Sequence, residues 1–310
     1  MRAAICTRYG PPDVLEIRDV PKPVPRDDEV LVKVHASTVN SSDWFIRSGI
    51  PNASFAIQIP FRLMMGILRP RTKIQGLVFA GEIVEVGRRV RRFAVGDRVF
   101  AFTKFRLGGY AQFACAKERS TIGHAPASLS LEDAAAIPYG GLLAHHYLRK
   151  GGIQSGGRVL VYGASSAVGT AAIQLAKGLG ARVTAVCGPK NIELARSLGA
   201  DEVVDYTVQD APAAGATWDL VLDAVGKRKT SAFKTACQKT LAARGRSISV
   251  DDGTPALPPE ALEVLREAVD AGKLLPVIDR RYPLDRIVEA HRYVEQEHKK
   301  GSVVITMPQE

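Results

Sequence analysis

Apolar positions in the first third of the chain recur at every second residue. Val30, Val32 and Val34 alternate with other neighbours over residues 29–36, and residues 81–87 alternate between two bounding glycines. Residues 95–100 read as a turn entering a strand, and residues 110–116 as another short strand. Short strands punctuated by Gly and Pro predict a compact β-barrel-like domain. Residues 50–73 are rich in Pro and Arg and break the alternation; they read as a loop with a helix over that domain. After Ala125-Pro126 the period lengthens. Ser130-Leu131-Glu132-Asp133 has the form of a capping box, opening a helix that Pro138 ends, and a second helix follows over 140–150. Strands at 159–162, 183–186, 203–205 and 220–223 then alternate with helices, one of them over 192–198 and stopped by Gly199. Helical crossovers between strands predict a doubly wound parallel sheet. Two late helices, 259–271 and 284–297, precede a last strand at 303–306.

The sharpest local pattern lies at the first of those strands. Val159-Leu160-Val161-Tyr162 runs into Gly163-Ala164-Ser165-Ser166-Ala167-Val168-Gly169, and a helix follows with an apolar stripe of Ala172, Leu175, Ala176 and Leu179. Strand, tight turn and helix form the unit that binds a pyrophosphate at a helix N-terminus. Small side chains let phosphates approach the backbone, free N–H groups point at them, and Gly169 lets the helix pack close on the strand. The G-x-G-x-x-G register is degraded, since Ala164 and Ser166 stand at the first two glycine positions. Ser166 brings a hydroxyl that can donate to a phosphate oxygen and a Cβ that can hold the phosphates away; Ala164, Ala167 and Gly169 keep the turn narrow. An ordinary βα turn is the competing reading. A P-loop is excluded because no lysine separates Gly169 from Thr170; a nucleophile elbow at Ser165 lacks its last glycine.

Composition narrows the class. The 310 residues suffice for two domains, and 46% apolar with 24% charged residues is ordinary for a globular protein. No run is long and apolar enough to span a bilayer, and Met1-Arg2-Ala3-Ala4-Ile5-Cys6 does not open a signal peptide. Cys6, Cys115, Cys187 and Cys237 are far apart and form no C-x-x-C; this fits a reducing compartment, and a cytoplasmic location is expected. The net charge of +10 is concentrated at Arg69-Pro70-Arg71-Thr72-Lys73, Arg88-Arg89-Val90-Arg91-Arg92 and Lys227-Arg228-Lys229. A nucleic-acid surface would interleave stacking aromatics with these cations, and none do. Solvated faces, or attraction of an anionic cofactor, explain the charge instead.

Segments from nearly the whole chain carry a resemblance. Val39-Asn40-Ser41-Ser42-Asp43 with Arg47-Ser48-Gly49 matches N-x-x-D…R-x-G; residues 80–87 followed by Phe93-Ala94-Val95-Gly96-Asp97-Arg98-Val99 match A-G-x-V-x-x-V-G…F-x-x-G-D-x-V. Gly109-Tyr110-Ala111-Gln112, the turn at 163–169 and Ala195-Arg196-Ser197-Leu198-Gly199-Ala200-Asp201 also fit. Together they resemble the medium-chain dehydrogenase/reductase superfamily, in its zinc-independent quinone-oxidoreductase-like branch. The resemblance implies an α/β chain with a GroES-like β-barrel catalytic domain built from residues 1–125 and 263–310. A Rossmann doubly wound parallel sheet, residues 126–262, is inserted between them. It also implies an active site in the cleft and a homodimer joined through the Rossmann sheet edge.

Departures from the superfamily sharpen the chemistry. Zinc alcohol dehydrogenases carry G-H-E where this chain has Gly76-Leu77-Val78, and Asn40-Ser41 replaces the cysteine region, so no metal is expected. His145 and His146 are adjacent and cannot share a helix face. An NAD enzyme of this fold ends its second strand with an acid on the ribose hydroxyls. Here Cys187-Gly188-Pro189-Lys190-Asn191 holds none; Lys190 suits a 2′-phosphate, and Tyr206 matches the family tyrosine facing it, so NADPH is expected. The family lysine itself aligns better with Asn191, and its partner serine with Gly188. Cofactor contacts are expected at Asn40, Ala164, Ser165, Ser166, Ala167, Val168, Gly169, Lys190 and Tyr206, with Asn40 the catalytic candidate beside nicotinamide and substrate. A turn-forming Asn is the competing reading of Asn40. Phe45 replaces a frequent tyrosine, and Asp43 with Arg47 reads as a structural pair.

Without a Lewis acid, hydride delivery to a conjugated acceptor is the easier reaction, because a quinone or enone spreads the incoming charge onto oxygen. The leading expectation is an NADPH-dependent reductase of quinones or α,β-unsaturated carbonyls. A zinc-independent reductase of another carbonyl or alcohol is the alternative, and a non-catalytic nucleotide- or RNA-binding protein the second. The substrate-facing loops 44–75 and 104–110 follow no readable pattern.

Overall fold

The computed structural model describes residues 1–50, 55–227 and 231–309. In chain order the elements are β1 (Arg2–Cys6), β2 (Leu15–Asp19), β3 (Glu29–Val39), α1 (Ser41–Ser48), α2 (Phe55–Met65), β4 (Val78–Val86), β5 (Arg98–Phe102), β6 (Phe113–Lys117) and β7 (Ile122–His124). Next come α3 (Leu131–Ala134), α4 (Ile137–Gly151), β8 (Arg158–Tyr162), α5 (Ala167–Gly178), β9 (Arg182–Cys187), α6 (Ile192–Ser197), β10 (Glu202–Asp205) and β11 (Trp218–Asp223). The chain ends with α7 (Ala232–Gln238), β12 (Leu241–Ser249), α8 (Glu260–Asp270), β13 (Ile278–Pro283), α9 (Ile287–Glu295) and β14 (Ser302–Thr306).

Two compact units result. The first comprises Met1–Tyr139, Pro258–Arg266 and Ile278–Glu310; the second comprises Gly140–Leu257 and Glu267–Val277. The sequence expectation set the first boundary at 125/126. The structure sets it later because α3 packs on β3, β4 and β5, so the helix belongs with the first unit. Pro138 does not separate two helices: it sits in the first turn of α4, where its missing N–H costs nothing.

In the first unit β3 is the spine. One edge pairs with β4 throughout; the other pairs with β6 over Glu29–Lys33 and with β14 over Ala36–Val39. Bulges at Leu31/Val32 and Val34/Ala36 bend the strand so that it serves both partners. The sheet runs β13-β14-β3-β4-β5-β7, and both chain ends therefore build this unit. Val30, Val32, Val34, Phe79, Ile83 and Val303 fill its core, the face that the period-2 pattern assigned inward.

The second unit is a five-stranded parallel sheet in the order β10-β9-β8-β11-β12. The chain starts at the central β8, steps outward to β9 and β10, then returns to the opposite side of β8. Such a reversal opens a crevice at the carboxyl ends of the strands. The apolar face of α5 is Ala167, Val168, Ala171, Ala172, Ile173 and Ala176; Leu179, assigned to that stripe from sequence, is 48% exposed. The four cysteines are free.

A buried ion pair ties β11 to α7. Lys234 Nζ lies 2.7 Å from Asp223 Oδ2 and donates to Gly226 O, while Ser249 Oγ donates to the same carboxylate. Asp223 Oδ1 in turn receives the N–H groups of Val225 and Gly226, so the pair fixes the loop after β11. Replacing Lys234 by Ala strands a buried carboxylate, and unfolding in urea is expected to show a loss of about 3–5 kcal/mol. A loss below about 1 kcal/mol would show that the loop does not depend on the pair.

Candidate functional site

At the end of β8 the turn is shaped by contacts that exclude side chains. Gly163 has φ +79°, and a Cβ there would lie 2.2 Å from Val225 Cγ1. The N–H groups of Gly163 and Ala164 both donate to Val186 O, at 3.0 and 3.1 Å, pinning the turn to β9. A Cβ on Gly169 would lie 2.2 Å from Gly163 O, which explains why that glycine is the one kept. Ser166 is the N-cap of α5: its hydroxyl accepts the Gly169 N–H at 3.0 Å and donates to Ala224 O at 3.3 Å. The expectation that this hydroxyl is available to a phosphate is therefore corrected, because both its proton and a lone pair are engaged. The N–H groups of Ser165, Ala167 and Val168 have no acceptor among the described residues. They cluster at the N-terminus of a twelve-residue helix, an arrangement that favours an anion.

Beside this turn lies the end of β9. Asn191 Nδ2 donates to Ser165 Oγ at 3.2 Å, and its Oδ1 is buried with no partner among the described residues. Tyr206, just past β10, donates its N–H to Cys187 O, and its ring lies 6.0 Å from that of Tyr162. An added Cβ on Gly188 would sit 3.9 Å from the Tyr206 ring and hydroxyl, so there is room above Gly188 with the tyrosine as a wall. Lys190 is exposed at this edge. The structure thus gathers Ser165, Gly188, Asn191 and Tyr206, with Lys190 adjacent in the chain. Ala164 stands apart, almost wholly buried and with its N–H used inside the turn. The sequence expectation did not include Asn191 among the cofactor contacts; its fit to the position of a family lysine was the available signal. Tyr162, which backs Tyr206 and contacts the Ser231 hydroxyl at 2.9 Å, was missed because it reads as a strand residue.

In the first unit Asn40 caps α1 and is fully buried. Its N–H donates to Asp43 Oδ2 at 2.9 Å, and its Nδ2 donates to Thr38 Oγ1 at 2.8 Å. Its Oδ1 has no partner among the described residues. Asn40 thus holds a buried acceptor that no described group satisfies. Asp43 Oδ1 receives the Leu77 N–H at 3.1 Å, so the carboxyl staples the Asn40 turn to the start of β4. Leu77 and Val78, where the resemblance led to an expectation of no metal, are buried apolar side chains. Among the described residues no group of three or more His, Cys, Asp or Glu is placed to hold a metal ion. Asp43 and Arg47 do not pair, which corrects the sequence reading. Arg47 is fully buried and instead contacts Glu295, donates to Gly10 O, and reaches His291 Nδ1 at 3.4 Å. His291 is held neutral, because burial and then the neighbouring Arg47 push its pKa well below the usual value.

Elsewhere the basic segments are partly neutralised. Arg88 pairs with Asp27, and the backbone N–H groups of Arg91 and Arg92 donate to Glu118. Of the Lys227 segment, Arg228 and Lys229 lie outside the described residues. The donor set in the second unit fits a dinucleotide: free helix N–H groups for the diphosphate, and a walled opening at the second strand for the ribose.

Comparison with known proteins follows the same division. A family model for the alcohol dehydrogenase GroES-like domain matches residues 26–142, and models described as zinc-binding dehydrogenase match residues 167–262 and 254–305. The chloroplast envelope quinone oxidoreductase homolog of Arabidopsis thaliana is 32% identical, over 94% of this chain and 93% of its own length. The 2-methylene-furan-3-one reductase of Solanum lycopersicum is 31% identical, over 98% of this chain and 79% of its own. A solved NAD-dependent alcohol dehydrogenase superposes with a TM-score of 0.84 at 30% identity, covering 99% of this chain and 100% of that one.

The Asp43 staple has a pH signature. Burial is the largest influence and raises its pKa to about 7, against the opposing N–H groups of Asn40 and Leu77. Between its unfolded value near 4 and about 7, the folded chain binds a proton that the unfolded chain has released. This contribution to stability is full below pH 4 and is lost as the pH rises to 7, at up to about 1.4 kcal/mol per pH unit. Urea unfolding at pH 4.5 and 7.5 is expected to show that decline in the wild type and not in Asp43→Asn. An equal decline in both would place the titration elsewhere.

Proposed function

The chain belongs to the medium-chain dehydrogenase/reductase superfamily, in its quinone-oxidoreductase-like branch, and from that premise we propose that it is an NADPH-dependent, zinc-independent reductase of quinones or α,β-unsaturated carbonyls. The observation that carries the cofactor choice is the end of β9. No carboxylate stands in Gly188-Pro189-Lys190-Asn191, and Asp205, at the end of β10, accepts the Thr207 N–H and hydroxyl instead. An acid there would repel a 2′-phosphate; Lys190 attracts it, Tyr206 walls it, and Asn191 joins the ribose edge to the diphosphate turn. The similarity to a solved NAD-dependent alcohol dehydrogenase makes this preference the quantity to measure.

Bound NADPH would supply the hydride. The free N–H groups of Ser165, Ala167 and Val168 would hold its diphosphate, and the packing of Gly163 and Gly169 keeps the turn narrow. Ala164 supports the turn from beneath rather than touching the cofactor. Asn40 Oδ1 would accept a hydrogen bond from the nicotinamide carboxamide and orient the ring; one of its two amide N–H groups is held by Thr38, and an amide is too weak an acid to protonate a substrate. With Leu77 and Val78 at the metal positions, no side chain there supplies a Lewis acid to an alcohol. Conjugated acceptors need only orientation and a proton, and the relatives named as a quinone oxidoreductase homolog and a furanone reductase act in that chemical class. Dimerisation through β12 is part of the same proposal: it is an open edge of the parallel sheet, half exposed along its length.

Two measurements test the reading. Calorimetry is expected to give tighter binding of NADPH than of NADH, and Lys190→Ala to weaken NADPH alone, by about 1–2 kcal/mol. Equal affinities in the wild type would remove the cofactor argument. Turnover of a panel of quinones and enones with NADPH is expected to persist in a strong chelator. Activity lost to the chelator and restored by zinc would overturn the metal-free reading.

A further inference from the structure

Exposed apolar surface is concentrated in one stretch of the first unit. Of the fourteen large apolar side chains exposed among the described residues, six fall within 57–68: Ile57, Ile59, Leu63, Met64, Ile67 and Leu68. They come from α2 and the turn that follows it, and Leu68 is 86% exposed. The turn is built to display them. Met65 is buried as its root, and Gly66 has φ +123°; a Cβ there would lie 2.0 Å from Arg69 O, so a side chain is excluded. Tyr9 donates to Gly66 O at 2.8 Å, the Arg71 N–H donates to Met65 O at 2.8 Å, and Arg62 donates to Ile67 O at 3.1 Å. Ile67 and Leu68 are thereby held at a fixed tip.

The charge around that tip has one sign. No Asp or Glu occurs between Asp43 and Glu82. Arg69, Arg71 and Lys73 are exposed and pair with no carboxylate among the described residues, whereas surface arginines such as Arg88 and Arg286 do. Arg62 stacks 5.0 Å over the Tyr9 ring, adding a cation beside the apolar face. An apolar tip next to unpaired cations matches the boundary between acyl chains and anionic headgroups. No helix among the described residues is long and apolar enough to cross a membrane, so such a surface would rest on a bilayer rather than pass through it as a helix. Nucleic acid would satisfy the cations and leave the apolar tip in water. A second copy of the chain would have to bring carboxylates to the cations.

We propose that residues 57–73 dock this protein on an anionic lipid surface, with Ile67 and Leu68 entering the acyl boundary and Arg69, Arg71 and Lys73 contacting headgroups. The proposal does not rest on the reading of the enzymatic activity, although residues 57–73 fall within the stretch 44–75 expected from sequence to face the substrate. Flotation of the full chain with vesicles of phosphatidylcholine alone, or with about a third phosphatidylserine, tests it. Binding is expected to the anionic vesicles only, and to fall as salt is raised. Ile67→Ser with Leu68→Ser is expected to abolish it, with circular dichroism and thermal midpoint unchanged because both side chains are already in water. Replacing Arg69, Arg71 and Lys73 by Ala is expected to weaken it on the order of a hundredfold. Absence of vesicle binding, binding that survives the double serine variant, a dimer that the double variant dissociates without any vesicle binding, or capture of RNA in place of vesicles would each overturn the proposal.

Discussion

One carbonyl, that of Val186, accepts the N–H groups of both Gly163 and Ala164, and the geometry of the second unit follows from that shared acceptor. It draws the residues after β8 against β9 before the chain turns into α5. The turn can close only if Gly163 takes a left-handed conformation and Gly169 carries no side chain, because each added Cβ would overlap a neighbour by more than an ångström. Ser166 then caps the helix, and the N–H groups it does not reach are left pointing outward. The anion site is therefore a by-product of close strand–helix packing. That is why Ala and Ser substitute for two glycines of the fingerprint without changing the shape: neither position is where a Cβ collides.

The first unit solves a different problem, the burial of charge. Asp43 and Arg47 share α1, yet each is satisfied by groups far away in sequence: Leu77 for the one, Gly10, His291 and Glu295 for the other. Both are almost fully buried, so neither can lose its partners without leaving a charge or a polar group unsatisfied. The result is a short helix whose start and end are each fixed by an independent network. Asn40, at its start, inherits that rigidity. A preorganised acceptor is more useful for orienting a flat ring than a mobile one, because no freedom is lost when the ring arrives.

The legibility of these features from sequence tracks how local their causes are. The parallel strands β8, β9 and β11 are buried apolar runs and announce themselves. β12, Leu241–Ser249, carries Arg244, Gly245 and Arg246 at an open edge with a register shift opposite Trp218/Leu220, so no period marks it. β13 is likewise polar, and β1 with β2 is a separate pair outside the main sheets. In the site, the close packing at Gly169 follows from turn chemistry and is readable, whereas the engagement of the Ser166 hydroxyl as a helix cap shows only in the fold. The partners of Arg47 are not: helical spacing favours Asp43, four residues away, and only the fold brings α9 to α1. Asn191 sits between these cases, since its position at the second strand end is legible and the contact with Ser165 is not.

Leu77, Val78 and Phe45 are apolar at three positions of the first unit where the resemblance led to an expectation of polar side chains. An apolar side chain at such a place leaves no buried polar group for the protein to satisfy. Leu77 keeps its backbone N–H on Asp43, so the staple is independent of its side chain and the wall beside it is apolar. The end of β9 in the second unit carries Lys190 and no acid. The unit that would bind an anionic cofactor thus offers a cation there, and the unit that would bind the acceptor offers apolar walls. An acceptor suited to such walls is flat, apolar and conjugated, because it asks the protein for position more than for charge.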